Sequence, residues 1–314
     1  KVLVVGEAII DEYQYCQLIG KAAKEPILAA QYLSTEKFAG GILSVANHVA
    51  SFSDNVSMVA MLGADQTQEQ FVVDSTKDGI EKLFVRKANS PTIVKRRFLD
   101  TYTSQKLFEI YEINDEELDD RQDKKLRDLL GRVLPGFDVV IVADYGHGMM
   151  TAGIIDVLCD KSRFLAVNTQ SNAGNRGFNT ISRYPRADFI SLASHEIALE
   201  ERNRRGDMKK MALSVSKKLN CDRIVVTLGK KGSLCYGNDE GFFEVPAFAN
   251  QVVDRVGAGD AVLSVTALCA SQQAPMEVIG LIGNVVGAQA VATMGNRSPV
   301  ERVPLMKHIE SLLK

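Results

Sequence analysis

Short apolar runs alternate with stretches of helical spacing along most of the chain. Val2–Val5 is apolar throughout and stops at Gly6, the pattern of a buried central strand handing over to a loop, here one holding Glu7 and Asp11. Between about Tyr13 and Lys37 the helical period is lost and aromatics mix with Gly20 and Pro26, which predicts short strands on an exposed face. Gly40-Gly41 introduces a helix with Ile42, Val45, Ala46 and Val49 on one side, and a strand follows at Val56–Met61, closed by a turn at Gly63-Ala64-Asp65. Phe71–Lys77 reads as helix and Lys82–Arg86 as extended. Thr92–Leu99 and Lys106–Ile113 are strand-like with charged faces, and a charged helix is predicted at about Asp115–Val133.

Beyond that helix the alternation is regular. Val139–Ala143 is an apolar strand running into Asp144-Tyr145-Gly146-His147-Gly148, with Thr151 placed to cap the next helix. Leu165–Asn168 leads into Asn172-Ala173-Gly174-Asn175, and Phe189–Leu192 precedes Ser194, the expected cap of a helix containing Glu196. Lys209–Leu219 reads as helix, Arg223–Thr227 as strand and Gly229–Gly232 as turn. Ser233–Tyr236 and Phe242–Pro246 read as extended, and helices at about Val278–Met294 and Leu305–Leu313 close the chain.

This order predicts an α/β fold, a mainly parallel sheet with helices on both faces. Such sheets bind ligands at the carboxyl ends of their strands. Gly6–Asp11, Asp144–Gly148, Asn168 and Thr227–Gly229 fall at such ends, so they converge on one rim. A single domain over 1–314 is expected, with strands from about 13–37 and 91–113 forming a small outlying sheet that acts as a lid.

The strongest chemical signal is Val252–Gln272, VVDRVGAGDAVLSVTALCASQ. Its β-branched start, Gly257-Ala258-Gly259-Asp260, and the apolar positions Ala261, Val262, Val265, Leu268 and Cys269 describe a loop feeding a buried helix. Glycines there let several N–H groups approach a ligand beside the positive end of the helix dipole, which makes an anion cradle. Asp260 in the first turn either caps the helix or takes a proton from a group attacking the anion. The motif alone leaves both open.

Composition narrows the partners. With 314 residues, 46% hydrophobic, 24% charged and a formal net charge of −2, the chain has ample core material and no basic excess for a nucleic acid. The five cysteines show no metal-ligand spacing and read as small core residues of a reducing compartment, so a cytoplasmic location is expected. No run suits a membrane span or signal peptide. The start at Lys1, running at once into a strand, suggests a piece of a longer polypeptide.

A phosphoryl-transfer site needs a cradle, a base, nucleotide contacts and an acceptor pocket. There is no GxxxxGK[ST] motif, and Val262 stands where a dinucleotide fingerprint has its third glycine. The VDRVGAGDAV segment resembles the C-terminal signature of the ribokinase-like (PfkB) carbohydrate kinases, and Ala39–Gly41 with its helix resembles their N-terminal one. VLVVGEAIID, TIVKRRFL, VADYGHGMMT and VNTQSNAGNRGFNTISRYPRAD are similar to the sugar kinase module of bifunctional ADP-heptose synthases, whose substrate is a heptose 7-phosphate and which is commonly fused to a nucleotidyltransferase.

The resemblance implies an ATP- and Mg²⁺-dependent sugar kinase with Asp260 as base and the amides of Gly257, Ala258 and Gly259 holding the transferring phosphate. It assigns Asp11, Gly40 and Gly41 to the sugar pocket and Lys95 and Arg97 to a phosphate already on the sugar. Asn168, Thr227 and Gly229 would contact the nucleotide phosphates, with Gly232 in the same turn and Asn284 near the adenine, and Glu196 would act on Mg²⁺ through water. A monovalent-cation requirement stays open, and a homodimer through the lid is expected. Two positions depart from the family pattern: Ser44 replaces an Asn, with Asn47 as the nearest substitute for sugar binding, and Ala193 replaces the Asn of an Asn-x-x-Glu motif. Those losses support one rival, a catalytically impaired domain that binds sugar phosphate or nucleotide to regulate an attached transferase. A kinase for a nucleoside or vitamin is the other.

Overall fold

The computed structural model describes residues 1–314. Twelve strands and nine α-helices follow in the order β1 Val2–Lys21, β2 Leu28–Gly41, α1 Ile42–Ala50, β3 Val56–Asp65, α2 Glu69–Asp74, β4 Glu81–Pro91, β5 Ile93–Asp100, β6 Lys106–Glu112 and α3 Asp120–Val133. Then come β7 Val139–Asp144, α4 Ala152–Lys161, β8 Leu165–Thr169, β9 Phe189–Ala193, α5 Ser194–Glu200, α6 Met208–Leu219 and β10 Arg223–Thr227. The chain ends with β11 Ser233–Gly237, β12 Gly241–Val245, α7 Ala258–Ser271, α8 Met276–Ala290 and α9 Arg302–Leu312.

The main sheet has the order β12-β11-β10-β9-β8-β7-β1-β3-β4. Every pairing from β10 to β4 is parallel, and only β11 and β12 run antiparallel at one edge. This is the expected α/β architecture. Alternate side chains of a strand point to opposite faces, and the core divides accordingly. Leu3, Val5, Val140, Val142, Val167, Ile190 and Val226 pack under α3 to α6, whereas Val2, Val4, Ile141, Ala166, Phe189 and Val225 pack under α1, α7 and α8.

β1 does more than its apolar opening predicts. Instead of yielding to a loop at Gly6, it runs on to Lys21: Val2–Glu7 pairs with β3 in the main sheet, and Ala8–Lys21 pairs antiparallel with β2. Ile9–Cys16 also pairs parallel with β5, which pairs with β6. Glu7 and Asp11 therefore lie on a strand. Gly6 marks close packing, not a turn, since a Cβ there would stand 2.5 Å from the Ala143 carbonyl oxygen of β7. The order β2-β1-β5-β6 makes a second small sheet continuous with the first through β1. The predicted turn at Gly63–Asp65 is likewise the end of β3.

Of the two caps expected from the sequence, Thr151 forms and Ser194 does not, while Asp119 supplies one that was not expected. The Asp119 side chain accepts from Gln122 N–H at 2.7 Å ahead of α3, and Thr151 Oγ1 accepts from Ile154 N–H at 3.3 Å ahead of α4. Ser194, expected to cap α5, is instead its first residue; Ala193 precedes the helix, and Glu196 reaches back to accept the Ala193 N–H at 2.7 Å. No helix is long and apolar enough to cross a membrane.

Candidate active site

Four strand ends and the start of α7 meet at the rim where β1 leaves the main sheet. Gly257 takes a left-handed conformation, φ 79°, immediately before α7, and a Cβ on it would stand 1.8 Å from Asn296 Oδ1. Nothing lies within 4 Å of a Cβ built on Gly259, so the first turn of α7 borders open space on that side. Asp260 is buried at 6% exposure. Its Oδ1 accepts from the Tyr145 hydroxyl at 3.0 Å and from Gln170 Nε2 at 2.7 Å, while Oδ2 has no protein partner and is not sealed from solvent.

Burial pushes Asp260 up to about 7, helped by the nearby Asp11 carboxylate and opposed by the Tyr145 bond, Lys95 and the Gln170 bond. Glu7, fully buried on β1, also rises to about 7 through desolvation and the neighbouring Asp144, although it accepts the N–H groups of Tyr145 at 3.2 Å and His147 at 3.1 Å. A carboxyl poised at neutrality and facing an anion cradle is a workable proton acceptor.

Asp11, Gly40, Lys95 and Arg97 come together where β1, β2 and β5 pair: Asp11 lies opposite Lys95 in register. Gly40 makes room for Asp11, since a Cβ there would stand 2.2 Å from Asp11 Oδ2. Gly41 is the last residue of β2, directly before α1. The two basic residues differ. Arg97 is ion-paired with Asp11 Oδ1 and with Glu109 at 3.3 Å, so its charge is taken up by the protein. The Lys95 ammonium makes no ion pair, lies 5.4 Å from the Tyr111 ring centroid, and is pushed down by burial.

Asn47 lies apart from this cluster. Its Nδ2 donates to Ser75 carbonyl oxygen and its Oδ1 accepts from Lys77 N–H, both at 2.8 Å, which ties α1 to the segment after α2. It lines a polar cleft of about 710 Å³ with Lys37, Lys77, Asn296 and Arg297. Asp260, Lys95 and Asn168 do not line that cleft. Ser44 is buried with an unpartnered hydroxyl.

Asn168, expected to contact the nucleotide, lies near the end of β8, donates to Ser191 carbonyl oxygen at 2.7 Å and keeps a buried Oδ1 with no partner. Thr227 ends β10, and Gly229 and Gly232 bound the short helical turn after it. Asn284 donates to Ser233 Oγ at 2.8 Å and to Val245 carbonyl oxygen at 3.2 Å, clasping α8 to β11 and β12. Glu196 accepts the N–H groups of Ala193 and Ser171 and is raised to about 7 by burial.

Sequence reasoning placed Glu7 and Tyr145 at the rim without giving either a role, and it did not single out Gln170 or Asn296. Asn296 Nδ2 lies 3.5 Å from Asp11 Oδ2 and abuts Gly257, so it links the acceptor side to the cradle. Its local sequence, after α8, gives no sign of this; chain folding alone brings it there.

Residues 150–302 match the model of the pfkB family carbohydrate kinases. The bifunctional protein HldE of Shewanella sp. (strain MR-4) is 26% identical over 311 residues, covering 98% of this chain and 63% of that protein. The HldE of a Nitratiruptor species is 21% identical over 296 residues, covering 94% and 62%. Two solved structures share the fold: Escherichia coli phosphofructokinase-2 in complex with potassium (TM-score 0.78, 15% identity, 100% and 99% of the two chains) and Thermotoga maritima ribokinase (TM-score 0.75, 19% identity, 99% and 98%). Over residues 150–302 the chain is thus similar to the PfkB-type carbohydrate kinases, and its fold is that of the ribokinase-like kinases. It spans less than two thirds of the length of the HldE proteins it matches.

Kinases of this fold imply ATP and a metal ion. No three His, Cys, Asp or Glu side chains of the kinase domain are grouped to hold a metal directly. The open N-terminus of α7 fits a phosphate, whereas Asn168 Oδ1, an acceptor, calls for a donor such as a hydroxyl or a water.

Proposed function

We propose that this domain transfers the γ-phosphoryl group of ATP to a hydroxyl of a sugar that already carries a phosphate, a heptose 7-phosphate being the leading candidate. The observation that carries the reading is Asp260: a buried carboxyl in the first turn of α7, with one oxygen free and the cradle amides beside it. Asp260 takes the acceptor hydroxyl proton through Oδ2, and the amides of Gly257, Ala258 and Gly259 hold the moving phosphoryl charge. Mg²⁺ on the nucleotide would neutralise phosphate charge, and Glu196 would act on it through water. Asn168, Thr227, Gly229 and Gly232 border the nucleotide phosphates, and Asn284 the adenine. Lys95, the site's unpaired cation, receives the phosphate of the sugar, and Arg97 holds Asp11 toward a sugar hydroxyl. The rival reading of a non-catalytic regulator is not favoured by a site that retains the base and cradle intact.

Further parts of the reading concern the whole protein. HldE relatives are bifunctional and longer, which supports an attached nucleotidyltransferase. Ile19, Leu28, Tyr32, Phe108 and Ile110 are exposed on the small sheet and would be covered by a second copy as that sheet closes over the rim. Potassium in the phosphofructokinase-2 structure supports trying a monovalent cation. The reading keeps the protein in the cytoplasm.

A coupled ADP-release assay over phosphorylated and free sugars, with Mg²⁺ and with K⁺ or Na⁺, tests the proposal. ADP release that requires a phosphorylated sugar is expected. Preference for unphosphorylated acceptors or nucleosides overturns the substrate class, and binding without ADP release overturns the kinase.

A further inference from the structure

We propose that Tyr145 and Gln170 form a clamp that occupies Asp260 Oδ1 and aims Oδ2 at the acceptor, and that the polar segment after β8 holds this clamp. The inference rests on Asp260 being the base. Both donors converge on one atom, Asp260 Oδ1, from the ends of two neighbouring strands, Tyr145 just past β7 and Gln170 just past β8. With Oδ1 occupied from two directions the carboxylate plane is fixed, and Oδ2 alone is left for an acceptor.

The anchoring of Tyr145 is unusually complete. Its N–H donates to Glu7 Oε2 at 3.2 Å, and its carbonyl oxygen accepts from Asn172 Nδ2 at 2.9 Å and from Asn175 Nδ2 at 2.8 Å. Asn179 ties the preceding and following pieces together, donating to the Asp144 carbonyl oxygen at 3.0 Å and to the Gln170 carbonyl oxygen at 3.3 Å. Tyr184 donates to Asp144 Oδ2 at 2.9 Å. Apart from Glu7, every side chain of this set sits between Asp144 and Tyr184, and none reaches the cradle except Tyr145 and Gln170. A buried, satisfied polar network of this kind fixes one geometry.

The charges around Asp260 explain why two donors are needed. Asp11 on β1 disfavours its ionised form and Glu196 on α5 is disfavoured by it; Lys95 on β5 is the opposing cation, and Arg97 is spent on Asp11. Two hydrogen bonds to the ionised form offset the acids. These residues are positioning residues: they act through Asp260 and touch neither substrate.

The test is the pH dependence of kcat for Tyr145→Phe, Gln170→Met and the double variant in the full protein, at saturating ATP and sugar phosphate. Each single change is expected to raise the acidic limb by about one pH unit, with KM for ATP unchanged and turnover largely recovered at high pH. In an Asp260→Asn background, Tyr145→Phe is expected to leave the residual rate unaltered, because both changes act on one step. Limbs that stay in place, with or without a uniform loss of turnover, overturn the clamp while Asp260→Asn remains inactive. Normal turnover in Asp260→Asn overturns the base itself. If Tyr145→Phe does not fold, Gln170→Met alone decides by the same limb.

Discussion

Replacing Asp260 with asparagine separates the function of this carboxyl from its cost to the fold. The folded protein raises it from 3.8 to about 7, mainly by burial. Between those values the unfolded chain releases the proton while the folded chain keeps it, so stability falls as pH rises; above about 7 the loss is complete and constant. Each pH unit of that gap is worth about 1.4 kcal/mol, so the upper bound of the penalty is roughly 4 kcal/mol. Relaxation and water near Oδ2 reduce it, and about 2 kcal/mol is expected at pH 8. The amide oxygen of the replacement can still accept from Tyr145 and Gln170, so little is lost in exchange. Urea unfolding of both proteins at pH 5, 6, 7 and 8 measures the difference. The variant's advantage should grow with pH up to about 7 and then level off, reaching ~3 °C in Tm for a chain this long, while turnover falls by about 10²–10⁴-fold. Unfolding curves offset by the same amount at every pH would refute the reasoning, because only a group titrating differently in the two states gives a pH-dependent difference.

Lys95→Met should raise KM for the phosphorylated sugar by about 10- to 100-fold, the worth of one charge-assisted hydrogen bond, with little change in kcat; steady-state ADP release checks it. Gly40→Ala places a methyl group on the Asp11 carboxylate and should weaken sugar binding while leaving ATP affinity intact, as calorimetry with each ligand would register. Arg97→Met leaves Asp11 buried without its cation and should cost about 3–5 kcal/mol in urea unfolding; a second change, Asp11→Asn, should return part of that stability without restoring activity. His147, held at about 4 by burial and the nearby Lys95, stays neutral above pH 5, so His147→Gln should leave the acidic limb of the pH–rate profile where it is.

Much of the main body was legible because its signals are local. Val139–Asp144, Leu165–Thr169, Phe189–Ala193 and Arg223–Thr227 are apolar runs bounded by polar or glycine-containing turns, and both faces of each are covered, so no alternation was needed to recognise them. The loop and helix around Gly257–Asp260 are also local, since a glycine at positive φ before an apolar helix start needs only neighbouring residues to be read. The small sheet was harder. β2 is mostly exposed and β1 crosses from one sheet to another, so neither carries a steady two-residue pattern, and Gly6 imitated a strand end when it served close packing against β7.

The sequence by itself therefore determined the layered α/β body, the order of its elements and the anion-facing start of α7, because hydrophobic burial and glycine conformation act over a few residues. Tertiary structure decided which charges are free. Lys95 and Arg97 stand two residues apart with basic side chains, yet Arg97 reaches the Asp11 carboxylate although Lys95 is the residue opposite it in register, and Lys95 is left unpaired. It also decided the setting of Asp260, since Tyr145, Gln170, Asp11 and Asn296 reach that neighbourhood from remote parts of the chain. Electrostatic environment depends on distances across the fold, and residue order fixes those distances only through the packing of the whole.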